Sequence, residues 1–246
     1  MNKFLLGDCL ELMKDIPDKS IDMILCDLPY GTTACKWDNI IPFEPLWEQY
    51  KRVIKDNGAI VLTANQPFTS ALVMSNPKMF KYDWTWKKSK VTGVLNAKRQ
   101  PLRTKEDVLV FYSKQCIYNP QGLVDCLKET GTGVSVNGKQ GNATGKITQT
   151  KTGTYTQVKT GYPRNVIDIK SEGKTQHPTQ KPVALFEYLI KTYTYEGQVV
   201  LDNCAGSGTA AIACLNTGRN YICMEQDKEY FEIATQRIKE WRDKNI

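Results

Sequence analysis

The chain has 246 residues, 41% hydrophobic and 24% charged, which suits one α/β domain with an insertion or two small domains. No apolar run approaches the roughly 18 residues of a membrane span, and Asp8 comes too early for a secretory leader, so a cytoplasmic enzyme is expected. The net charge of +7 hints at a polyanionic partner.

In chain order, Lys3–Leu6 is a short apolar run that stops at Gly7-Asp8, and a helical stretch follows near Cys9–Lys14. Ile21–Cys26 is a continuous apolar run, as expected of a buried strand, and it ends at Asp27. Phe43–Lys55 has helical spacing, with Leu46, Tyr50, Val53 and Ile54 on one face and Asn57-Gly58 as its stop. Ala59–Thr63 reads as the next strand. Tyr82–Lys87 and Val108–Tyr112, rich in aromatic and β-branched residues, predict two more.

Periodicity fades from about Lys114. Residues 131–161 are crowded with Gly, Thr, Lys, Gln and Asn, and no acidic residue lies between Glu129 and Asp168. Residues 88–176 hold fifteen Lys/Arg and six Asp/Glu, a balance of +9, so the rest of the chain carries about −2. Such a segment is either a disordered linker or a basic surface that orders on a nucleic-acid backbone. Regular patterning resumes at Pro182. Val183–Tyr193 is an amphipathic helix, Gln198–Leu201 a strand, Ser207–Asn216 a helix ending near Gly218, Tyr221–Met224 a strand and Lys228–Trp241 a helix. This βαβ unit stands at the C-terminal end, whereas nucleotide-binding folds usually open with one.

Two segments carry chemistry. In the first, a strand runs into Asp202-Asn203-Cys204-Ala205-Gly206-Ser207-Gly208-Thr209 and then a helix. Glycines there let the backbone approach a nucleotide-like cofactor, and the helix start offers free N–H groups. The spacing fits neither the dinucleotide fingerprint nor a P-loop. Glu225, at the end of the next strand, can accept from two ribose hydroxyls. A Gly-x-Gly turn alone is also an ordinary β-turn; the flanking strand, helix and distal Glu225 favour the cofactor.

The second is Asp27-Leu28-Pro29-Tyr30, directly after a strand, where α/β sheets place ligand sites. The Asp27 carboxylate and the Leu28 carbonyl can accept both hydrogens of an exocyclic amine and localise its lone pair on nitrogen. Pro29 keeps Leu28 extended, and Tyr30 can stack on a base that has left the helix. The plain alternative is a strand followed by a proline turn.

Together these segments resemble the S-adenosylmethionine-dependent DNA amino-methyltransferases, whose catalytic motif is Asp/Asn/Ser-Pro-Pro-Tyr. The Asp form resembles the adenine-N6 type, cytosine-N4 enzymes more often carrying Ser. The order of catalytic motif, variable region, His177-Pro178-Thr179-Gln180-Lys181-Pro182 and cofactor loop is similar to the β group. The resemblance covers residues 1–113 and 175–246. It implies a Rossmann-like α/β sheet, circularly permuted, in which 1–113 is the catalytic half, 114–174 an inserted basic target-recognition region and 175–246 the cofactor half. It further implies that Gly206 and Gly208, with Asp202, Cys204, Ala205, Ser207 and Thr209, cradle the cofactor's methionyl part. Glu225 would hold the ribose, Asp8 and Cys9 would lie beside the adenine, and Thr179 and Lys181 would close the pocket. Leu28 departs from the family's first Pro, and Asn203-Cys204-Ala205 from its usual Pro-Phe and small residue. Double-stranded DNA is the implied partner and a bacterial or phage cytoplasm the implied setting. A homodimer and a cognate endonuclease of a restriction-modification pair are compatible with the resemblance, and no residue specifies either.

Other residues are weaker candidates. Trp86, with Trp84 and Trp37, can form a base-stacking wall or belong to the core. Lys88, Arg99, Arg103 and Lys105 can contact phosphates or sit on a solvated face. Eight cysteines without a Cys-x-x-Cys pair, and one histidine, give no expected metal site, and Cys26 reads as core. RNA or a protein glutamine as substrate, and a non-catalytic binding module, are the competing classes; the basic middle segment disfavours glutamine, and the intact Asp27, Gly206, Gly208 and Glu225 disfavour the module.

Overall fold

A continuous apolar strand must be covered on both faces, and the computed structural model shows that arrangement. It describes residues 2–31, 38–131, 154–173 and 180–245. The elements are β1 (Lys3–Leu6), α1 (Cys9–Met13), β2 (Ile21–Cys26), α2 (Phe43–Val53), β3 (Ile54–Ala64), α3 (Phe68–Ser75), β4 (Phe80–Thr92), β5 (Arg103–Phe111), β6 (Val124–Gly131), β7 (Thr154–Thr160), β8 (Val166–Asp168), α4 (Val183–Tyr193), β9 (Val199–Asp202), α5 (Thr209–Asn216), β10 (Asn220–Glu225) and α6 (Lys228–Lys244). Two compact units result, one from Met1–Asn119 with Arg164–Ile246, the other Pro120–Pro163.

The larger unit holds an eight-stranded sheet in the order β1-β10-β9-β2-β3-β5-β4-β8. Strands β1, β10, β9, β2 and β3 are parallel, and β5 runs antiparallel between β3 and β4. All six residues of β2 are buried, and from Met23 to Cys26 alternate ones feed opposite cores. Met23 and Leu25 pack with residues of α4 and α5, such as Phe186, Leu189 and Ala211. Ile24 and Cys26 pack with Met13 of α1 and with Leu46, Tyr50 and Leu72 of α2 and α3. The sheet thus separates two helical layers.

The chain leaves β9 through α5 toward β10 and leaves β2 through α2 toward β3. The carboxyl ends of β9 and β2 therefore flank the point where the strand order reverses, which is where open α/β sheets hold ligands. This is the permuted order expected from the sequence. Among the described residues no helix is long and apolar enough to cross a membrane.

One expected boundary is corrected. The helix ends at Val53, before Asn57-Gly58, and β3 begins at once. Pairing with β2 jumps from Ile21↔Ile54 to Met23↔Ala59, so 55–58 bulge out of the ladder. Asp22 sits opposite the bulge, buried at 4% exposure, and its carboxylate accepts from Lys55 Nζ (2.7 Å), Gln198 Nε2 (3.0 Å) and the Val199 N–H (3.0 Å). A Cβ at Gly58 would lie 2.7 Å from the Asp22 carbonyl, so glycine serves close approach here and not a helix stop. Helix α3, strand β8 and the β6–β7 pair were not expected. In the smaller unit β6 and β7 pair antiparallel, and Lys159 bridges to Asp125.

Candidate active site

A cavity of about 330 Å³ opens at the reversal point. It is lined by Asp8 and Cys9 after β1, Asp27–Tyr30 after β2, Asp202–Ser207 and Thr209 after β9, Glu225 at the end of β10, and Lys181. Of the residues expected to hold a cofactor, Gly208 does not line the cavity and Thr179 lies outside the described residues, as do His177 and Trp37. Asp38–Pro42, Gln180, Phe186 and Tyr230 also line the space, and the motif reading missed them.

The loop after β9 is braced from several elements. Glu225 is 8% exposed and accepts the Gly206 N–H (2.7 Å) through one oxygen and the Asp227 N–H (2.8 Å) through the other. Burial pushes the Glu225 carboxyl up, against the pull of those N–H donors. Asn203 is buried and accepts from the Tyr50 hydroxyl at 2.6 Å, and its amide donates to the sulfurs of Cys9 and Cys204 at 3.5 Å each. The departure at Asn203-Cys204 thus ties the loop to α2. Ser207 Oγ donates to Gln180 (3.0 Å), joining the loop to the segment before α4. Asp8 caps α1 through the N–H groups of Leu10 (2.9 Å) and Glu11 (3.2 Å), so it reaches the cavity from a helix start.

Asp202 is 2% exposed, and burial pushes its carboxyl up to about 7 even though the Cys204 N–H donates to it at 3.1 Å. Its neighbour Cys26 is fully buried, and burial raises that thiol to about 12, as suits a core position. The seven described cysteines are free thiols, and no group of metal-ligating residues occurs among the described residues.

Asp27 is held by three donors. Its Oδ1 accepts from the Tyr30 hydroxyl (2.6 Å) and from Thr63 Oγ1, and its Oδ2 from Lys181 Nζ (2.6 Å). A carboxylate offers about four lone-pair sites, which leaves one, on Oδ2, for a further donor. Burial, then the charges of Asp27 and Glu106, push the Tyr30 phenol well up, so it remains a donor. Its ring stacks on Phe68 (5.2 Å between centroids), and Asp38 accepts the N–H groups of Tyr30 (2.7 Å) and Gly31 (2.9 Å).

Behind Asp27 runs a line of alternating charge. Lys181 is 6% exposed and also lies 3.2 Å from Glu106 Oε2, out of hydrogen-bond alignment; Glu106 Oε1 accepts from Lys88 Nζ at 2.9 Å. Burial works against the charged form of Lys181, but Asp27 and Glu106 outweigh it and raise its pKa. Asp27, Lys181, Glu106 and Lys88 together are neutral, which is what makes four ions tolerable there.

Two expected DNA-contact residues are corrected. Trp86 is 3% exposed and donates through its indole N–H to the Ile169 carbonyl at 2.8 Å, so it is core; Trp84 is equally buried against Tyr193. Lys88 is bound in the ion pair with Glu106, its side chain 8% exposed. Arg99 and Arg103 are exposed, and Lys105, also exposed, pairs with Asp107 at 2.6 Å.

Sheet order, reversal-point cavity and cofactor loop define a Rossmann-like methyltransferase domain. A family model described as DNA methylase, of the N6/N4 type, matches residues 21–236, and the chain belongs to that family. It is 25% identical to the type II methyltransferase M.HpaI of Haemophilus parainfluenzae, across 96% of this chain and 74% of that one. Among solved structures, the M1.HpyAVI–SAM complex superposes with a TM-score of 0.65 at 26% identity, covering 96% of this chain and all 100% of the other. The cytosine-N4-specific PvuII DNA methyltransferase shares the fold, with a TM-score of 0.67 at 17% identity over 96% and 86% of the two chains.

Proposed function

We propose that this chain transfers a methyl group from S-adenosylmethionine to the N6 amine of adenine in double-stranded DNA, at a specific sequence. The observation that carries this is the Asp27 carboxylate, fixed by three donors at a cavity whose other wall is the Gly206–Thr209 turn. Asp in the first motif position supports adenine over cytosine.

The residues present fit such a cofactor. Asp8, Asp27, Asp202 and Glu225 surround the cavity with acidic groups, which favours a cationic ligand, and Glu225, which accepts the N–H groups of Gly206, Asp227 and Gln226, keeps about one lone-pair site for a ribose hydroxyl. S-adenosylmethionine, when bound, supplies a methyl group activated on a sulfonium. Asp27 Oδ2 and the Leu28 carbonyl accept the two amine hydrogens and so direct the nitrogen lone pair at that methyl group. Pro29 fixes the carbonyl's direction, and Tyr30, stacked on Phe68 and with the Lys181 ammonium 5.6 Å from its ring centroid, is the aromatic side chain beside the base. Lys181 and Thr63 hold the carboxylate without touching the base. Target recognition is assigned to the basic segment 114–174, which contains the smaller unit.

Digestion of treated duplex DNA to nucleosides, followed by mass spectrometry, tests this. N6-methyladenine is the expected product, and N4-methylcytosine alone would replace adenine by cytosine. Asp27→Ala is expected to abolish transfer while S-adenosylmethionine titrates into the variant as into the wild type; near-normal turnover would remove Asp27 from its role.

A further inference from the structure

The hairpin of β4 and β5 changes character along its length. Up to Lys88 and back from Glu106 it belongs to the sheet, and the Lys88–Glu106 pair sits beside Lys181 and Asp27. Beyond that pair, 89–105 project as an exposed ribbon whose strands still register, Lys87 with Lys105 and Thr92 with Arg103. Strand β4 runs parallel to β2 and β3, so the ribbon extends past the carboxyl ends that bear Asp27. Strand β4 bulges between Lys87 and Thr92, so Thr92 rises with Arg103, roughly 7 Å beyond Lys105.

The tip is built rather than loose. Gly93 adopts φ 87°, and Val94–Asn96 form a 3₁₀ turn closed by Asn96 N–H to Gly93 (2.9 Å), Ala97 to Val94 (3.0 Å) and Arg99 to Asn96 (2.8 Å). That turn presents Leu95 at 101% and Val94 at 64% exposure, with Val91 at 46% nearby. From Lys87 to Lys105 the ribbon has seven Lys/Arg and no Asp/Glu. Of these, Lys87, Lys88 and Lys105 pair with Asp168, Glu106 and Asp107, while Lys98, Arg99 and Arg103 lie exposed around the apolar tip. An apolar point among exposed cations complements a duplex: the charges meet phosphates, the ribbon fits a groove, and an apolar side chain can enter a base step.

We propose that Leu95 enters the base stack of duplex DNA and fills the gap left when the target base moves into the cavity, while Lys98, Arg99 and Arg103 contact the flanking phosphates. This rests on the reading of the cavity as the site of an extruded base. Removing a plug that stabilises the extruded state costs the reaction only where the target base must first be unstacked and unpaired.

The test uses the full chain, labelled S-adenosylmethionine and oligonucleotide duplexes bearing the site mapped by modification-sensitive sequencing. The target base is either paired or placed opposite an abasic position. Leu95→Ala is expected to lower kcat/KM about tenfold on the paired duplex and to stay within about twofold of wild type opposite the abasic position. Leu95→Met, which keeps the apolar bulk, should retain activity on both. Wild-type activity of Leu95→Ala on the paired duplex would overturn the proposal. So would an equal loss on both duplexes, whether from misfolding or from a lost contact between copies of the chain. A wild-type protein that methylates no DNA would instead overturn the underlying reading, and the plug with it.

Discussion

Lys181 Nζ stands 2.6 Å from Asp27 Oδ2, joining two motifs that lie 154 positions apart in the chain. The same ammonium lies 3.2 Å from Glu106, so it is the shared counter-ion of two carboxylates in a buried setting. Lys181 thus compensates both carboxylates while also lining the cavity.

Lys181→Met should therefore destabilise the fold by about 3–5 kcal/mol, because Asp27 and Glu106 would face each other without compensation. Adding Glu106→Gln should recover part of the loss, giving a coupling of about 1–3 kcal/mol in a double-mutant cycle. Urea unfolding of the four proteins measures it. Additive effects would mean that the two residues do not share one electrostatic site.

Thr63 contributes a hydroxyl to Asp27 from the neighbouring strand, fully buried. Thr63→Val keeps the shape and removes one donor to a carboxylate, a bond of about 1.5–3 kcal/mol. With Asp27 left less firmly oriented, kcat should fall about tenfold or more while the Kd for S-adenosylmethionine stays unchanged. Unaltered kcat would show that Tyr30 and Lys181 suffice to orient the carboxylate.

Much of this site was legible because its markers are local. Continuous apolar strands end at Asp27, Asp202 and Glu225, and the order of the motifs specifies the permutation. What stayed hidden depends on register between strands. Thr63 and Glu106 reach Asp27 and Lys181 only because β3 lies beside β2 and β5 folds back next to β3, and no spacing within one segment encodes that. The inward placement of Trp86 and Lys88 is itself encoded locally. Trp84, Trp86 and Lys88 share one face of β4 by two-residue periodicity, so a core position for the tryptophans turns Lys88 inward and demands an acid such as Glu106. The break of β3 was hidden for a different reason: Asn57-Gly58 is a turn dipeptide, and here it sits in a bulge opposite the buried Asp22.

Asp202 gives a pH prediction. Its carboxyl is pushed by burial up to about 7, from an ordinary 3.8. Between those values the folded chain keeps a proton that the unfolded chain has released, so stability falls as pH rises through the window and levels off above it. Asp202→Asn retains an oxygen for the Cys204 N–H and has no charge to bury. Its unfolding free energy should match wild type near pH 4 and exceed it by about 1–3 kcal/mol at pH 8. Affinity for the cationic cofactor should weaken in the same variant, since a buried carboxylate has been lost. Parallel stability curves from pH 4 to pH 8 would contradict the raised value.

Gly208 shapes the turn after β9 through its backbone conformation and its close packing. It adopts φ +79°, where an L side chain is strained, and a Cβ there would lie 3.0 Å from Ala234 Cβ and 3.6 Å from the Phe4 ring. The neighbouring Gly206 is also left-handed, at φ 51°, and donates its N–H to Glu225. A change at Gly208 therefore acts on both sides: it strains the start of α5 and pushes α6 away from β1. Gly208→Ala should cost about 1–2 kcal/mol from the left-handed conformation, and more if Ala234 cannot yield. Because the turn would relax by moving Gly206 off Glu225, the Kd for S-adenosylmethionine should rise about tenfold or more, while the variant remains folded. Combining it with Ala234→Gly separates the two causes. Recovery of stability without recovery of affinity would assign the affinity loss to the backbone of the turn, and recovery of both would assign it to the clash with α6.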